Sequence, residues 1–165
     1  MNTRPTSDRT KESLFNIIGD RLLDKTILDL YAGTGAIGIE ALSRGADSAV
    51  FVEKDPRVVK IIRENLALTG LAGQAEIICQ DVDLAVSVLE SQNRTFDMIF
   101  LDPPYLRNML QNSIEKLDQY GIITPGGLVI AESSKLDLLL DRYGSLQLLR
   151  RQRYGDTILS FYQET

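Results

Sequence analysis

Residues 26–38 read Thr-Ile-Leu-Asp-Leu-Tyr-Ala-Gly-Thr-Gly-Ala-Ile-Gly, and this stretch decides the fold. Its first six residues have the short, mostly apolar composition of a buried strand, and a helical stretch follows through about Arg44. Between strand and helix stands the pattern G-x-G-x-x-G, made by Gly33, Gly35 and Gly38. In that context the pattern is typical of a nucleotide-cofactor turn, because glycines let the backbone approach a ligand and the helix N-terminus offers free N–H groups. The sequence therefore predicts a Rossmann-like α/β fold.

An acidic residue follows the next predicted strand. Ser48–Val52 is mostly apolar and leads to Glu53, which lies twenty residues after Gly33. An acid at that spacing accepts hydrogen bonds from the ribose hydroxyls of an adenosine, which both NAD and S-adenosylmethionine contain. Asp29, four residues before Gly33, favours the second cofactor. It could receive the amino group of a methionine moiety, whereas a nearby negative charge would repel a pyrophosphate.

A second motif ends the predicted strand 96–101, which reads Phe-Asp-Met-Ile-Phe-Leu. The residues that follow are Asp102, Pro103, Pro104 and Tyr105. Two successive prolines stop a strand because neither can donate a ladder hydrogen bond, and the carboxyl end of a central strand is where open α/β sheets bind ligands. A carboxylate and a proline carbonyl can each accept one hydrogen of a planar –NH2 group while a tyrosine ring stacks on the attached base. The motif is therefore interpreted as a catalytic grip for the exocyclic amine of a nucleobase.

The rest of the chain reads as repeated helix–strand units and a closing hairpin. A chain of 165 residues is one domain by the usual prior, here an N-terminal arm and helix over 1–19 and a core over 24–165. The hairpin predicts an antiparallel edge on an otherwise parallel sheet, which the ordinary dinucleotide-binding fold does not require. We therefore expect the seven-stranded, mostly parallel sheet of a class I S-adenosylmethionine-dependent methyltransferase. The predicted strands are 26–31, 48–52, 75–79, 96–101, 128–132, 146–152 and 157–162.

The composition excludes several kinds of chemistry. The chain has no histidine and one cysteine, so Ser-His and Cys-His hydrolytic sites are excluded and no metal site is expected. Cys79 is interpreted as a small apolar residue of the third strand. No apolar stretch approaches the length of a membrane span, and the first residues lack an apolar signal core. We therefore expect a cytoplasmic protein with no membrane partner, and a monomer, since nothing suggests an obligate dimer.

The overall charge is the opposite of the basic footprint of a duplex-binding protein, with a net charge of −5 and a pI of about 4.8. Basic residues nevertheless cluster near the N-terminus and in an acid-free stretch further on. They are Arg4, Arg9 and Lys11, and Arg142, Arg150, Arg151 and Arg153. Each cluster can be a solvated surface or an RNA contact. With no room for a separate target-recognition domain, recognition of a preassembled RNA–protein surface by shape fits the chain better than reading of a DNA sequence.

Taken together, the motifs resemble those of the RsmD family, the bacterial 16S rRNA guanine-N2 methyltransferases, along nearly the whole chain. The matching stretches are Arg4 to Asn16, Leu28 to Ala46 with Phe51-Val52-Glu53, Phe96 to Tyr105, and Gly155-Asp156-Thr157. Asp-Pro-Pro-Tyr is shared by many amino-group methyltransferases, whereas Arg-Pro-Thr-x-Asp-Arg together with Glu-Ala-Leu-Ser-Arg-Gly-Ala is much more specific. Family members usually carry a short basic β-hairpin, implicated in holding RNA, ahead of the position of Arg4, where this sequence has three residues.

The resemblance implies transfer of a methyl group from S-adenosylmethionine to the N2 amine of a guanine, with S-adenosylhomocysteine as the product. Asp102 and the Pro103 carbonyl would accept the amine hydrogens, and Tyr105 would stack on the base. The implied substrate is 16S rRNA within an assembled or assembling small ribosomal subunit. The residues expected around the cofactor are Asp29, Tyr31, Ala32, Gly33, Thr34, Gly35, Gly38, Glu53 and Asp81, with Asp81 at the adenine.

Three alternatives stay open. Methylation of a DNA adenine-N6 or cytosine-N4 amine would use the same grip. An NAD-dependent oxidoreductase would share the glycine turn, although Asp29, the closing hairpin and Asp-Pro-Pro-Tyr speak against it. A nucleotide-binding protein without methyl transfer would keep the fold and lack the chemistry.

Overall fold

An eight-stranded sheet with helices on both faces organises the computed structural model, which describes residues 8–104, 108–137 and 139–165. The helices are α1 Asp8–Ile18, α2 Ala36–Ser43, α3 Pro56–Thr69, α4 Val82–Ser91 and α5 Met109–Tyr120. The strands are β1 Thr26–Leu30, β2 Ser48–Val52, β3 Ala75–Ile78, β4 Phe96–Leu101, β5 Ile123–Ser134, β6 Arg142–Tyr143, β7 Leu146–Tyr154 and β8 Thr157–Glu164. Short 3₁₀ turns occupy Gly19–Leu22 and Ala72–Gln74.

The strand order is β3-β2-β1-β4-β5-β8-β7-β6, with β1 to β5 parallel and β8 antiparallel to β5. This confirms the mostly parallel sheet with an antiparallel terminal hairpin. The count of seven strands was wrong by one, because β6 is a two-residue strand that pairs with β7 through Arg142 and Tyr143. Two residues are too few to show an alternating pattern, so the sequence gives no sign of this strand.

Two apolar layers cover the two faces of the sheet. One contains Phe15 of α1, Leu42 of α2 and Ile62 of α3, and Ile27 of β1 faces it. The other contains side chains of α4 and α5, and Leu28, the next residue of β1, faces it. Successive side chains of a strand point to opposite faces, so β1, β2 and β4 are buried on both sides and read as continuous apolar runs.

The starts of two helices lie just beyond the carboxyl ends of their strands. The Asp55 carboxylate accepts a hydrogen bond from Arg57 N at 2.9 Å, and proline at the first helical position also favours the start of α3. Asp81 caps α4 in the same way, accepting from Asp83 N at 2.9 Å. Within the described residues, no helix has both the length and the apolar character needed to cross a membrane.

The carboxyl ends of the parallel strands line up in one row. Leu30 of β1 is in register with Val52 on one side and with Leu101 on the other, and Val52 is in register with Ile78. The residues that follow these four strands therefore meet at a single edge of the sheet. That edge receives the predicted site residues from four different parts of the chain.

Candidate active site

The glycine turn wraps from the end of β1 into α2. Gly33 and Gly35 have φ values of 57° and 83°, in the left-handed region where glycine alone is unstrained. Gly35 N donates to Ala32 O at 2.9 Å, and Ala32 N donates to Val52 O at 2.9 Å, so the turn is fastened to β2. Its outer side is held by α3, where Asn65 Nδ2 donates to Thr34 O at 3.0 Å. Asn65 is not among the residues predicted from the sequence, because no spacing rule links it to the turn 31 residues earlier.

The third glycine of the motif is required by packing. A Cβ atom on Gly38 would overlap the Phe51 ring, lying 2.7 Å from Cζ, a distance that real Cβ atoms do not show, and it would lie 3.1 Å from Asp29 Oδ2. Gly38 therefore lets α2 lie close against β2, which is the role of the last glycine in turns of this kind. Its predicted contact with a cofactor stays a prediction.

Asp29 lies buried beneath the turn. Its side chain is 4% exposed, and its Oδ2 accepts a hydrogen bond from Gly38 N at 3.0 Å. Burial, together with a smaller contribution from the charge of Glu53, raises the pKa of Asp29 to about 8 against the lowering effect of the Gly38 hydrogen bond. The carboxyl group therefore holds the first turn of α2 and is largely protonated at neutral pH. A cation placed next to it would favour its ionised form.

Glu53 joins the glycine turn to the start of α3. Its Oε1 accepts a hydrogen bond from Gly33 N at 3.1 Å, and its Oε2 accepts one from Asp55 N at 2.9 Å. The residue is partly exposed, and an ionised carboxylate offers about four lone-pair directions. Two acceptor directions thus remain for hydroxyl groups of a ligand at the position where the sequence predicts a ribose.

Tyr31 has a φ of 57°, which is uncommon for a bulky residue. This conformation directs the side chain toward α5, where its hydroxyl lies 2.7 Å from Ser113 Oγ. Burial raises the pKa of Tyr31, while the Ser113 hydrogen bond lowers it. The sequence predicted Tyr31 as a cofactor residue and gave no sign of Ser113, which is 82 positions away. The structure thus connects the glycine turn directly to the helix that follows the Asp-Pro-Pro motif.

Asp81 lies exposed at the N-terminus of α4. The same helix is tied to α5 by the ion pair between Asp83 Oδ2 and Lys116 Nζ at 2.6 Å. Beside Asp81, the side-chain oxygen Gln80 Oε1 is buried and has no hydrogen-bond partner among the described residues. Buried polar atoms are normally paired, so this acceptor is available to a donor such as an amino group. The sequence analysis did not single out Gln80.

The Asp-Pro-Pro motif stands next to the glycine turn. Asp102 and Pro103 are partly buried, Pro104 is exposed, and Tyr105 lies outside the described residues. Because Leu101 and Leu30 are in register, the ends of β4 and β1 are one strand spacing apart, about 4.8 Å. The structure therefore brings Asp102 and Pro103 to a position beside the glycine turn.

Cys79 differs from its interpretation. It follows β3 instead of belonging to it, it is exposed, and its Sγ lies 3.7 Å from Lys54 O. In 8–104, 108–137 and 139–165, no group of three or more His, Cys, Asp or Glu side chains is arranged to hold a metal ion.

A surface depression of about 320 Å³ lies at the opposite, amino-terminal edge of the sheet, around Asp97 and Thr124. Asp97 Oδ2 accepts from Thr26 N at 2.9 Å and Oδ1 accepts from Thr124 Oγ1 at 2.9 Å. Burial alone would raise the pKa of Asp97, but these hydrogen bonds hold it below its ordinary value. The carboxylate joins the starts of β1, β4 and β5, and this depression has no part in the site at the carboxyl edge.

Solved structures with the same fold show the class of protein to which the chain belongs. The structure superposes on an RNA methyltransferase from Salinibacter ruber, solved in complex with S-adenosyl-L-homocysteine, with a TM-score of 0.75. The two are 19% identical, and the match covers 98% of this chain and 94% of that one, a likeness of fold. A second structure, described as a putative methyltransferase from Escherichia coli, superposes with a TM-score of 0.85 at 32% identity, over 98% of this chain and 88% of that one. The fold is that of the Rossmann-like class I S-adenosylmethionine-dependent methyltransferases.

The family follows from the sequence matches. Residues 1–163 match the model of the family described as Conserved hypothetical protein 95, and the chain belongs to this family. A relative from Escherichia coli is 34% identical over 160 residues, covering 97% of this chain and 79% of its own length. One from Haemophilus influenzae is 36% identical over 163 residues, covering 97% and 82%. Both are named Ribosomal RNA small subunit methyltransferase D, which confirms the resemblance to the RsmD family.

Proposed function

We propose that this chain transfers a methyl group from S-adenosylmethionine to the exocyclic N2 amine of a guanine in small-subunit (16S) rRNA, and that it acts in the cytoplasm. The observation that carries the proposal is the position of Asp102 and Pro103, one strand away from the glycine turn at the carboxyl edge of the sheet. The names of the two relatives support rRNA as the substrate, since each is named for methylation of small-subunit rRNA.

The residues at this edge fit S-adenosylmethionine, which supplies an electrophilic methyl group on a sulfonium when bound. The glycine turn offers closely approachable backbone at Gly33 and Gly35, and a positively charged amino group beside buried Asp29 would favour the ionised form of its carboxyl group. Glu53 keeps acceptor directions for ribose hydroxyls. The unpaired Gln80 Oε1, next to Asp81, suits the amino group of an adenine.

The chain's contribution to the reaction is orientation. Asp102 and the Pro103 carbonyl would each accept one hydrogen of the guanine amine, which turns the nitrogen lone pair toward the methyl carbon. The N–C bond then forms as the S–C bond breaks, and the amine loses one proton to Asp102 or to water. Positioning of this kind can supply up to roughly 7–11 kcal/mol of the barrier. The target base must leave any helix to reach Asp102, and Tyr105 would stack on it there.

Transfer of labelled methyl to undermodified small ribosomal subunits, followed by nucleoside digestion, tests the proposal. We expect label in N2-methylguanosine. The same assay is run with DNA in place of the subunits, where label in N6-methyladenine or N4-methylcytosine would support the DNA alternative in place of the proposal. Absence of label in either nucleic acid, with measurable cofactor affinity, would leave a nucleotide-binding protein.

The variant Asp102→Ala tests the role of the carboxylate. We expect it to reduce the transfer rate at least a hundredfold while the dissociation constant for S-adenosylhomocysteine stays within about threefold, because Asp102 is assigned to the amine and not to the cofactor. Asp102→Asn keeps one carbonyl acceptor, so its transfer rate should lie between those of the wild type and Asp102→Ala. Equal loss of cofactor affinity and transfer in Asp102→Ala, with a lowered melting temperature, would instead assign Asp102 to the structure of the loop.

A further inference from the structure

We propose that the outer hairpin, formed by β7 and β8 (residues 146–164), docks the phosphate backbone of the RNA beside the target base through Arg150 and Arg153. The inference rests on the proposed function, in which the substrate is RNA, and it assigns a surface to that RNA. Three observations carry it: the position of the hairpin relative to Asp102, the exposure of its arginines, and their lack of carboxylate partners.

The register of the sheet places the hairpin at the height of the site. Leu101, the last residue of β4, is in register with Ala131, which pairs with Ser160, which pairs with Arg151. Three strand spacings separate β4 from β7, a distance of about 14 Å. Arg153 lies two residues further toward the carboxyl edge, roughly 7 Å beyond the end of β4. An RNA strand that presents a splayed base to Asp102 thus passes within reach of this tip.

The arginines lie on an open edge of the sheet. β6 pairs with β7 at Leu146 and Gln147, and Leu148 N donates to Asp141 O at 2.8 Å, so on that side β7 from residue 149 onward has no neighbouring strand among the described residues. Arg150 pairs with Phe161 and Arg153 pairs with Ile158, an odd number of positions apart, which puts the two side chains on opposite faces of the strand. Both are exposed. The edge therefore presents cations on both of its sides.

Arg150 and Arg153 have no ion-pair partner in the described part of the chain. Arg150 Nη2 donates to Gln152 Oε1 at 3.1 Å, and Arg153 Nε donates to Gly155 O at 2.7 Å, both neutral acceptors. By contrast, the neighbouring Arg151 pairs with Asp141 at 3.1 Å. The hairpin over 146–164 contains three basic and two acidic side chains, and all three basic ones lie on β7, which has no acidic residue, in a chain with a net charge of −5. The hairpin is thus a local positive surface on an acidic protein.

A polyanion is the partner that this surface fits. Arginine binds phosphate through two parallel hydrogen bonds, and phosphate contacts fix the orientation of a nucleic acid without reading its sequence. Another explanation is that the charges keep an open strand edge from pairing with other chains. The two explanations differ in one respect: edge protection works with charge of either sign, whereas phosphate binding requires positive charge.

The test uses charge reversal and charge conservation at the same two positions. R150E/R153E and R150K/R153K are compared with K60E/R63E, whose two exposed positions lie on α3, near the other end of the sheet. RNA affinity is measured by fluorescence anisotropy with a labelled small-subunit rRNA fragment over a series of salt concentrations. The affinity for S-adenosylhomocysteine and the melting temperature are measured in parallel.

We expect R150E/R153E to weaken RNA binding at least tenfold. Loss of two phosphate contacts should also reduce the slope of log K against log salt by about 1.4–1.8. R150K/R153K should keep the wild-type slope of log K against log salt. The RNA affinity of K60E/R63E should stay within about threefold of that of the wild type. Cofactor affinity should be unchanged in all three variants.

RNA affinity and salt slope of R150E/R153E equal to those of K60E/R63E would overturn the inference. If R150A/R153A self-associates while R150E/R153E stays monomeric with normal RNA affinity, the arginines protect the edge and the inference is likewise overturned. Failure of the proposed function is a separate result. It would show as absence of label from rRNA incubated with the wild type, whatever the relative RNA affinities of the variants.

Discussion

Asp29 carries a proton in the folded protein over a pH range in which an exposed carboxyl group has lost it. Burial raises its pKa from 3.8 to about 8. Between those two values the folded state binds more protons at this group than the unfolded state does, so the group makes the stability fall as pH rises from about 4 to about 8. Above pH 8 both states are ionised and this dependence ends.

Asp29→Asn isolates that contribution, because asparagine does not titrate and its Oδ1 can still accept the hydrogen bond from Gly38 N. We expect the free energy of unfolding of the wild type, relative to Asp29→Asn, to fall by up to about 1.4 kcal/mol per pH unit between pH 5 and pH 8. Urea unfolding at each pH measures the difference. A constant difference across this range would mean that Asp29 ionises normally in the folded protein.

At the scale of single elements, two side-chain contacts tie α5 to the elements at the carboxyl edge of the sheet. Ser113 contacts Tyr31 at the end of β1, and Lys116 pairs with Asp83 at the start of α4. The helix begins at Met109, five residues after Pro104, so the helix that contacts the glycine turn through Tyr31 is also the one that follows the Asp-Pro-Pro motif in the chain.

Tyr31→Phe should destabilise the protein by about 1–3 kcal/mol, because it leaves the Ser113 hydroxyl, on a residue 5% exposed, without its partner. Tyr31→Phe/Ser113→Ala should cost less than the sum of the two single changes, and a double-mutant cycle from urea unfolding measures the coupling. Lys116→Gln, which removes a partly exposed ion pair, is the matched control and should cost less than about 1 kcal/mol. If the losses in free energy of unfolding of the two single variants add up to that of the double variant, the 2.7 Å contact between the Tyr31 and Ser113 hydroxyls contributes nothing to stability.

The elements that the sequence predicted well are those encoded by neighbouring residues. The strand predicted over 48–52 has the bounds of β2, and the strand predicted over 96–101 has the bounds of β4. β5 was predicted to begin at 128, but it begins at Ile123, because Thr-Pro-Gly-Gly reads as a turn while Ile123 pairs with Phe96 across a register shift. β6 depends entirely on its partner strand for its definition.

The site residues also separate into those with a local sequence signal and those placed only by contacts between distant segments. Gly33, Glu53 and Asp102 could be placed at one edge because motif spacing and strand ends are local signals. Asn65 and Ser113 could not, since each acts through a contact made only when distant segments fold together. Gln80 carries no pattern of its own, and only its burial without a partner makes it visible.

At the scale of the whole molecule, the melting temperature distinguishes S-adenosylmethionine from NAD as the cofactor. A ligand that binds only the folded state at a hundred times its dissociation constant stabilises that state by about 2.7 kcal/mol, which for a chain of this size raises the melting temperature by roughly 5–10 °C. We expect this shift with S-adenosylhomocysteine and none with NAD at the same concentration. Differential scanning fluorimetry measures both. A larger shift with NAD would favour the oxidoreductase alternative.

The strand order also has a consequence for synthesis on the ribosome. β8 lies between β5 and β7 in the sheet, although β6 and β7 precede it in the chain. As the nascent chain grows, the 12-residue β5 keeps a bare edge until β8 emerges about twenty residues later. At 5–20 residues per second that interval lasts roughly one to four seconds. During it, nascent chains on the same polysome can pair through β5, so misassembly is a greater hazard during translation than in the finished protein.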